Sequence, residues 1–344
     1  MKNVKKVLII TIIVFLCAEL TNAQRVSPYQ VGSYIPGLIN LRDLGSLPGG
    51  LYLINYNYWI NSNGYYDKNG NKIGSLDIDL NNFKPGLGTR TLDLDTKIKG
   101  YTTVPMLFYA SKFKLLGGAT YLASVAPNYF SSNFNISMNL RDSTFVVEGK
   151  AGGWGDLSFM PLGLSWSFAS QVDLAFMYTL YAPTGSYTTG ADDNIGKGYW
   201  THQFQVPTYF YLMERATAIG FIPTLEINGK VKDAEVWAGS RFSLEYGISQ
   251  YLNEWLEIEI MNAHNWQISD DKGDNDWWKG TVLDSRDSKN TFAVGVGVWP
   301  WAGRLQLRGK YIFDYGVKQR FKNSYWGLSL VFVTNLLAEK NSEK

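Results

Sequence analysis

A two-residue rhythm of apolar and polar side chains constrains this chain more than any other feature. Between Thr91 and Val104, Leu92, Leu94, Thr96, Ile98, Thr102 and Val104 share one face, and Asp93, Asp95, Lys97, Lys99 and Tyr101 the other. Successive side chains of a pleated strand point to opposite sides, so the pattern makes two-faced strands rather than helices. The rhythm returns along the chain. Val172, Leu174, Phe176, Tyr178 and Leu180 alternate with Gln171, Asp173 and Thr179. Phe242, Leu244, Tyr246 and Ile248 alternate with Arg241, Ser243 and Glu245. Leu256, Ile258 and Ile260 oppose Glu257 and Glu259, and Leu305, Leu307, Tyr311 and Phe313 oppose Arg304, Gln306, Arg308 and Lys310. The expected fold class is all-β.

The same alternation serves a soluble sandwich and a membrane barrel. Three features favour the barrel. The segments exceed the ~5–6 residues of ordinary soluble strands and suit tilted membrane strands of about 9–11. The chain carries 12 Trp, 22 Tyr and 18 Phe, and Tyr52, Trp59, Trp200, Trp255, Trp266, Trp299, Trp326 and Phe332 fall near expected strand ends, where interfacial girdles form. Connections alternate between short and long, as periplasmic turns and outer loops do. Strands are expected near 50–60, 91–109, 113–126, 155–168, 170–182, 198–213, 216–228, 239–249, 254–268, 290–301, 303–315 and 321–334. That reading is a transmembrane antiparallel up-and-down β-barrel of about twelve strands, with both termini periplasmic; fourteen is the alternative. Residues 132–148 alternate weakly and are assigned to an outer insertion, because counting them as one strand breaks the parity.

The ends bound the barrel. Lys2, Lys5 and Lys6 precede an apolar run from Val7 to Ala18, and Thr21-Asn22-Ala23 offers a cleavage site before Gln24. Residues 1–23 therefore read as a signal peptide cleaved after Ala23 that exports the chain, and with the barrel pattern the expected location is the outer membrane of a Gram-negative bacterium. Cys17 follows Leu16 rather than a small residue, so the lipoprotein pattern fails. It is also the sole cysteine, which leaves the mature chain without thiolate ligands or disulfides. Segment 24–49, with Pro28, Pro36 and Pro48, is too irregular for a membrane strand. It is expected in the periplasm or folded back as a lumen plug, with an extended tail the preferred form. The barrel spans 50–334, and 335–344 is a polar tail.

Losing Lys2, Lys5, Lys6 and Glu19 leaves the mature chain formally neutral, with no basic excess to bind nucleic acid. No P-loop or dinucleotide fingerprint occurs, and no cofactor is expected. The run Asp270-Asp271-Lys272-Gly273-Asp274-Asn275-Asp276 is similar to a calcium loop, yet its twelfth position counted from Asp271 is Val282 rather than Glu. No metal site is expected.

Several motifs carry a family resemblance. Ile35-Pro36-Gly37, Asn40-Leu41-Arg42-Asp43 and Leu47-Pro48-Gly49-Gly50-Leu51-Tyr52 precede Tyr65-Tyr66-Asp67 and Asn69-Gly70. Gly155-Asp156 leads to Pro161-Leu162 and Trp166. Tyr181-Ala182-Pro183-Thr184-Gly185-Ser186-Tyr187 and Asn194-Ile195-Gly196-Lys197-Gly198-Tyr199-Trp200 follow. In order and spacing the chain resembles the meta-pathway phenol-degradation family of outer-membrane proteins. The resemblance implies a transporter-like barrel, distantly akin to fatty-acid and aromatic-hydrocarbon uptake channels. It does not establish phenol as a substrate. One departure is the ending: Phe332 is the last aromatic, and Thr334 to Lys344 follow it.

The charged strand faces supply the candidate site. A Lys or Arg facing lipid at the midplane costs ~2–4 kcal/mol, so charges are expected inside. Asp93, Asp95, Lys97, Lys99, Arg241, Glu245, Glu257, Glu259, Arg304, Arg308 and Lys310 are the candidate lumen-lining residues. The expected partners are outer-membrane lipid and a small hydrophobic solute. Two alternatives stay open. An acyl hydrolase would build on His202 or His264, although no G-x-S-x-G marks a nucleophile. A closed structural or adhesive barrel would result if the charges pair across the lumen and fill it.

Overall fold

In a computed structural model the protein is described over residues 32–79, 89–140, 143–189, 191, 193–273, 286–301 and 303–334. The expected leader and polar tail lie outside the described residues. Strands form at β1 Gly50–Tyr66, β2 Ser75–Asp79, β3 Thr89–Leu115, β4 Ala119–Ala126, β5 Tyr129–Leu140 and β6 Ser143–Trp154. They continue at β7 Leu157–Phe168, β8 Val172–Ala182, β9 Thr201–Gln205, β10 Thr208–Leu212, β11 Thr217–Asn228 and β12 Val236–Trp237. The last are β13 Arg241–Asn253, β14 Leu256–Gln267, β15 Lys272–Gly273, β16 Ser288–Trp301, β17 Leu305–Lys318 and β18 Arg320–Val333.

The wall is a closed antiparallel barrel of 12 strands with 3 extra strands. Closure is made by β1, which pairs with β18 from Tyr52↔Val333 onward and with β3 from Gly50↔Ala110 onward. Closing the sheet leaves no unpaired edge to face lipid. β9 and β10 act as one wall strand, since both lie between β8 and β11. Pro207 separates them because proline has no N–H to give the ladder.

The extra strands are β2, β5 and β6, which lengthen the sheet beside the outer half of β3. The expected outer insertion is thus a hairpin paired to β3 rather than another wall strand. A separate two-stranded ribbon, β12 with β15, joins two long outer connections.

One expected turn moves. β3 does not end near Tyr109 but runs to Leu115, and the chain reverses at Leu116, Gly117 and Gly118, all at positive φ. Two glycines make that left-handed reversal inexpensive. A bulge between Ala110 and Lys114 keeps β4 in register with the lower part of β3.

Burial alternates along the wall. On β14, Glu257, Glu259, Met261, Ala263, Asn265 and Gln267 are buried inside, while Ile258, Ile260 and Trp266 are exposed outside. Short turns and the two barrel termini share one end, which is the periplasmic end of outer-membrane barrels. β3 carries a correction. Its odd-numbered residues share the outer face with Trp59, whose ring lies 5.6 Å from that of Tyr101. Asp93, Asp95, Lys97 and Lys99 therefore point outward, not into the lumen. Asp95 and Lys97 form an ion pair of 2.7 Å between two largely exposed side chains. The physical reason is height: this stretch rises with β5 and β6, where the outer surroundings are water.

Candidate functional site in the barrel lumen

The lumen has two unlike walls. On the inner faces of β1, β3, β4 and β7, the residues are Tyr52, Ile54, Tyr56, Tyr58, Phe108, Leu122 and Met160, all buried. On β11, β13, β14, β16 and β17, they include Glu226, Arg241, Glu245, Glu257, Glu259, Lys289, Arg308, Lys310 and Asp314, also buried.

Residues 32–49 thread between these walls. They descend from the loop end, where Ser33 meets Thr201, to the turn end, where Ser46 meets Asp173. Only Leu41–Leu44 is regular, as a single 3-10 turn. An irregular segment cannot satisfy its own backbone, so the wall must do so. Four carboxylates accept its amides in succession. Glu226 Oε1 takes the N–H of Ser33 at 2.7 Å and of Tyr34 at 2.9 Å, and Glu245 Oε2 takes that of Gly37 at 2.8 Å. Glu259 Oε2 takes that of Leu41 and Asp173 Oδ2 that of Ser46, each at 3.0 Å. Lys310 Nζ donates to the carbonyl of Ile39 at 2.8 Å. From the aromatic wall, Tyr58 donates to the carbonyl of Leu38, and Tyr56 donates to Asp43 at 2.6 Å.

Side chains complete the hold. Leu41 is fully buried, and Leu38, Leu44 and Leu47 pack on the same cluster. Burying one leucine is worth roughly 1.5–3 kcal/mol. Gly37 sits at φ +86, and a Cβ there would stand 2.9 Å from the Thr291 side chain, so this bend suits glycine alone. Arg42 lies over the Tyr251 ring at 4.4 Å and donates to the carbonyls of Arg215 and Ala216 at 3.0 and 2.6 Å. The motif Asn40-Leu41-Arg42-Asp43 is thus the part of the plug that grips both walls.

The wall charges pair among themselves. Arg308 bridges Glu257 and Glu259, and Lys310 stands 2.9 Å from Glu259. Arg241 and Arg320 share Asp287, Lys289 meets Asp314 at 2.8 Å, and Arg215 meets Asp173 at 2.5 Å. A lone buried charge costs several kcal/mol, and here opposite signs meet either on adjacent strands, as Lys289 and Asp314 do, or across one intervening strand, as Arg308 and Glu257 do.

Of the residues singled out from the sequence, the lumen gathers Arg241, Glu245, Glu257, Glu259, Arg308 and Lys310. Arg304 lies elsewhere, in the turn before β17, with its guanidinium 5.5 Å over the Trp301 ring. The alternation is broken at that turn, so strand parity does not govern its direction. Asp173, Glu226, Lys289, Asp314 and Arg320 are inner residues absent from the sequence-based set. Strand alternation was a usable signal for Asp173, on the polar face of its segment.

Outer loops shape the other end of the lumen. Asp156 accepts the amides of Gly185 at 3.0 Å and Lys197 at 2.9 Å, tying the two halves of the β8–β9 loop together. Gly155-Asp156, Pro183-Thr184-Gly185 and Gly196-Lys197-Gly198, distant in sequence, thus meet at one place in the structure. Lys197 reaches Ser33 Oγ at 3.3 Å, so the loop touches the upper end of the plug. Among the described residues no group of His, Cys, Asp and Glu is arranged to hold a metal ion. Asp270 pairs with Arg286, Asp271 accepts from Gln267, and Lys272–Gly273 form β15; Asp274, Asn275 and Asp276 lie outside the described residues.

A closed twelve-stranded barrel, apolar outside and filled by its own N-terminal segment, defines an outer-membrane β-barrel. Residues 80–330 match the family described as "Putative MetA-pathway of phenol degradation", and the chain belongs to that family. No curated protein matches it in sequence. Among solved structures it is similar to the COG4313 outer membrane channel from Pseudomonas putida F1, with 18% identity and a TM-score of 0.62, covering 88% of this chain and 100% of that one. The structure of a Pseudomonas aeruginosa FadL homologue is a more distant likeness, with 12% identity and a TM-score of 0.41 over 83% of this chain and 90% of that one.

Proposed function

We propose that the protein is a channel that passes small hydrophobic or aromatic solutes across the outer membrane, with residues 32–49 as its internal constriction. The carrying observation is the two-sided lumen. An aromatic and aliphatic wall on β1, β3, β4 and β7 faces a charged wall, and a mostly irregular segment lies between them. A flat apolar solute has a surface to follow on one side only. The plug leucines cover that surface, so passage requires the plug to shift.

The plug direction bears on how it would shift. Its upstream end is at the loop side, and its downstream end leads into β1 at the periplasmic side. A solute arriving from outside meets the end held by Ser33 and Tyr34 before the end held by Arg42. A solved structure whose fold this chain shares, from Pseudomonas putida F1, is an outer membrane channel, which supports the reading. Export would proceed by residues 1–23, with cleavage after Ala23; Edman sequencing of the mature protein tests that step.

Liposome permeation tests the channel. With a panel of aromatic, aliphatic and charged solutes, entry of the aromatic ones should exceed that through empty liposomes and rise further when residues 32–47 are deleted. Equal entry with and without protein, in both forms, overturns the proposal. A hydrolase reading gains no support from the histidines. His202 bonds to Tyr178 at 2.8 Å, and His264 bonds to Tyr246 at 3.1 Å and Asn290 at 2.6 Å, all on the outer face.

A further inference from the structure

The outer face of the barrel should offer lipid only apolar atoms between its girdles. On β13, β14, β16 and β17 it does not. Tyr246, Asn262, His264, Asn290 and Tyr315 all point outward and form one network. Asn262 Nδ2 donates to the hydroxyls of Tyr246 at 3.2 Å and Tyr315 at 3.0 Å. His264 bonds through Nε2 to Tyr246 and through Nδ1 to Asn290 Oδ1.

Its position on the wall is bracketed. Toward the turn end the same strands expose Ile248, Ile258, Ile260, Val294 and Val296. Toward the loop end come Phe242 and the exposed Trp266. The network therefore lies on the loop side of the apolar band, against the outer leaflet, and inside the last aromatic residues. A run of near-parallel rings crosses it. Phe221 and Tyr246 are 6.5 Å apart, Tyr246 and His264 5.7 Å, His264 and Trp266 5.3 Å, and Trp266 and Phe242 6.2 Å, with interplanar angles of 12–27°.

We propose that this patch docks the carbohydrate part of an outer-leaflet glycolipid. Because the barrel is embedded in the outer membrane, a lipid of that leaflet covers this face. The five side chains bond one another, and acyl chains alone leave the outward side of that network without a polar surface to meet. The five network residues supply amides, hydroxyls and imidazole, and none is Lys or Arg, the exposed Lys318 standing further toward the loop end opposite Ser288; this favours hydroxyl groups over phosphate as the recognised chemistry. Flat rings offer their faces to the C–H face of a sugar, while Asn262, Asn290 and His264 supply donors and acceptors to its hydroxyls.

The test uses the full-length protein purified from cells and reconstituted with phospholipid plus lipid A carrying its two innermost core sugars. Native mass spectrometry then counts retained glycolipid. The wild type is expected to keep it, and the Asn262→Leu/His264→Leu variant to keep about tenfold less, the scale of losing one or two hydrogen bonds. Heat-modifiable gel migration confirms that each variant is folded, and Tyr246→Phe, which keeps the ring, serves if the leucine variant does not fold. Glycolipid stripped of its phosphates should bind the wild type as well as the intact form. Equal retention by wild type and folded variants overturns the proposal. So does retention that vanishes with the phosphates, or a chemically cross-linked dimer of this chain that the same substitutions abolish.

Discussion

The Arg42 guanidinium lies 3.3 Å from the Glu257 carboxylate, joining the N-terminal plug to the charged face of the barrel wall. Glu257 is itself fully buried and also accepts from Ser249 and Arg308. The plug is therefore held at its periplasmic end by a residue inserted into a pre-formed carboxylate pair. Arg42→Ala leaves Glu257 its bond to Arg308, so the barrel should fold, while the plug loses about 2 kcal/mol of charge-assisted hydrogen bonding. Single-channel recording in planar bilayers should show larger or more frequent openings than the wild type. An unchanged trace would count against the plug as the constriction.

Leu41→Ala addresses the apolar side of the same segment. Leu41 is buried among Tyr56, Tyr58 and Ile222 in one cluster. Truncation should cost about 3 kcal/mol, within the range for buried leucines. Urea unfolding of the protein in lipid vesicles reads the loss, and Leu41→Met should lose much less because volume is kept.

The outward direction of Asp95 and Lys97 makes a contrasting prediction. The pair is exposed, where ion pairs contribute little. Asp95→Ala and Lys97→Ala should leave both unfolding midpoint and ion selectivity within error of the wild type. Glu259→Gln, which removes charge between Arg308 and Lys310, should change both. A selectivity change in the Asp95 or Lys97 variants would mean that β3 charges reach the conducting path.

Lys197 gives the outer loop a pH dependence. Burial pushes its amine down to about 8 from an ordinary 10.5, against the attraction of Glu226. Between those values the unfolded loop binds the proton and the folded loop does not. Folding of the loop should therefore become more favourable as pH rises through the window. Protease cleavage within 183–200, measured on intact vesicles, should slow across it relative to Lys197→Met, whose rate carries only the pH profile of the protease.

Much of the wall was legible in the sequence. Alternation located the segments of β8, β13, β14 and β17, and it assigned Arg241, Glu245, Glu257, Glu259, Arg308 and Lys310 to one face each. Local pleating alone decides which residues share a face, so one chain suffices to read it. The Leu116–Gly118 reversal was harder, since a strand that continues through a bulge keeps no strict parity.

What the sequence by itself determined is the existence of long two-faced strands, their rhythm of short and long connections, and the pairing of apolar with polar faces. Only the tertiary structure decided which face is inside and what fills the interior. For Asp93, Asp95, Lys97 and Lys99 the polar face is outside, because β3 outgrows the band where lipid demands apolar atoms. Residues 32–49 have no periodicity to read. Their place in the lumen follows from carboxylates and tyrosines on other strands, Glu259 standing 218 positions along the chain from the Leu41 amide it holds, brought round the plug when β1 closes on β18. Alternation reports a strand's two surroundings as different; closure of the barrel decides which of them is water, lipid or the chain itself.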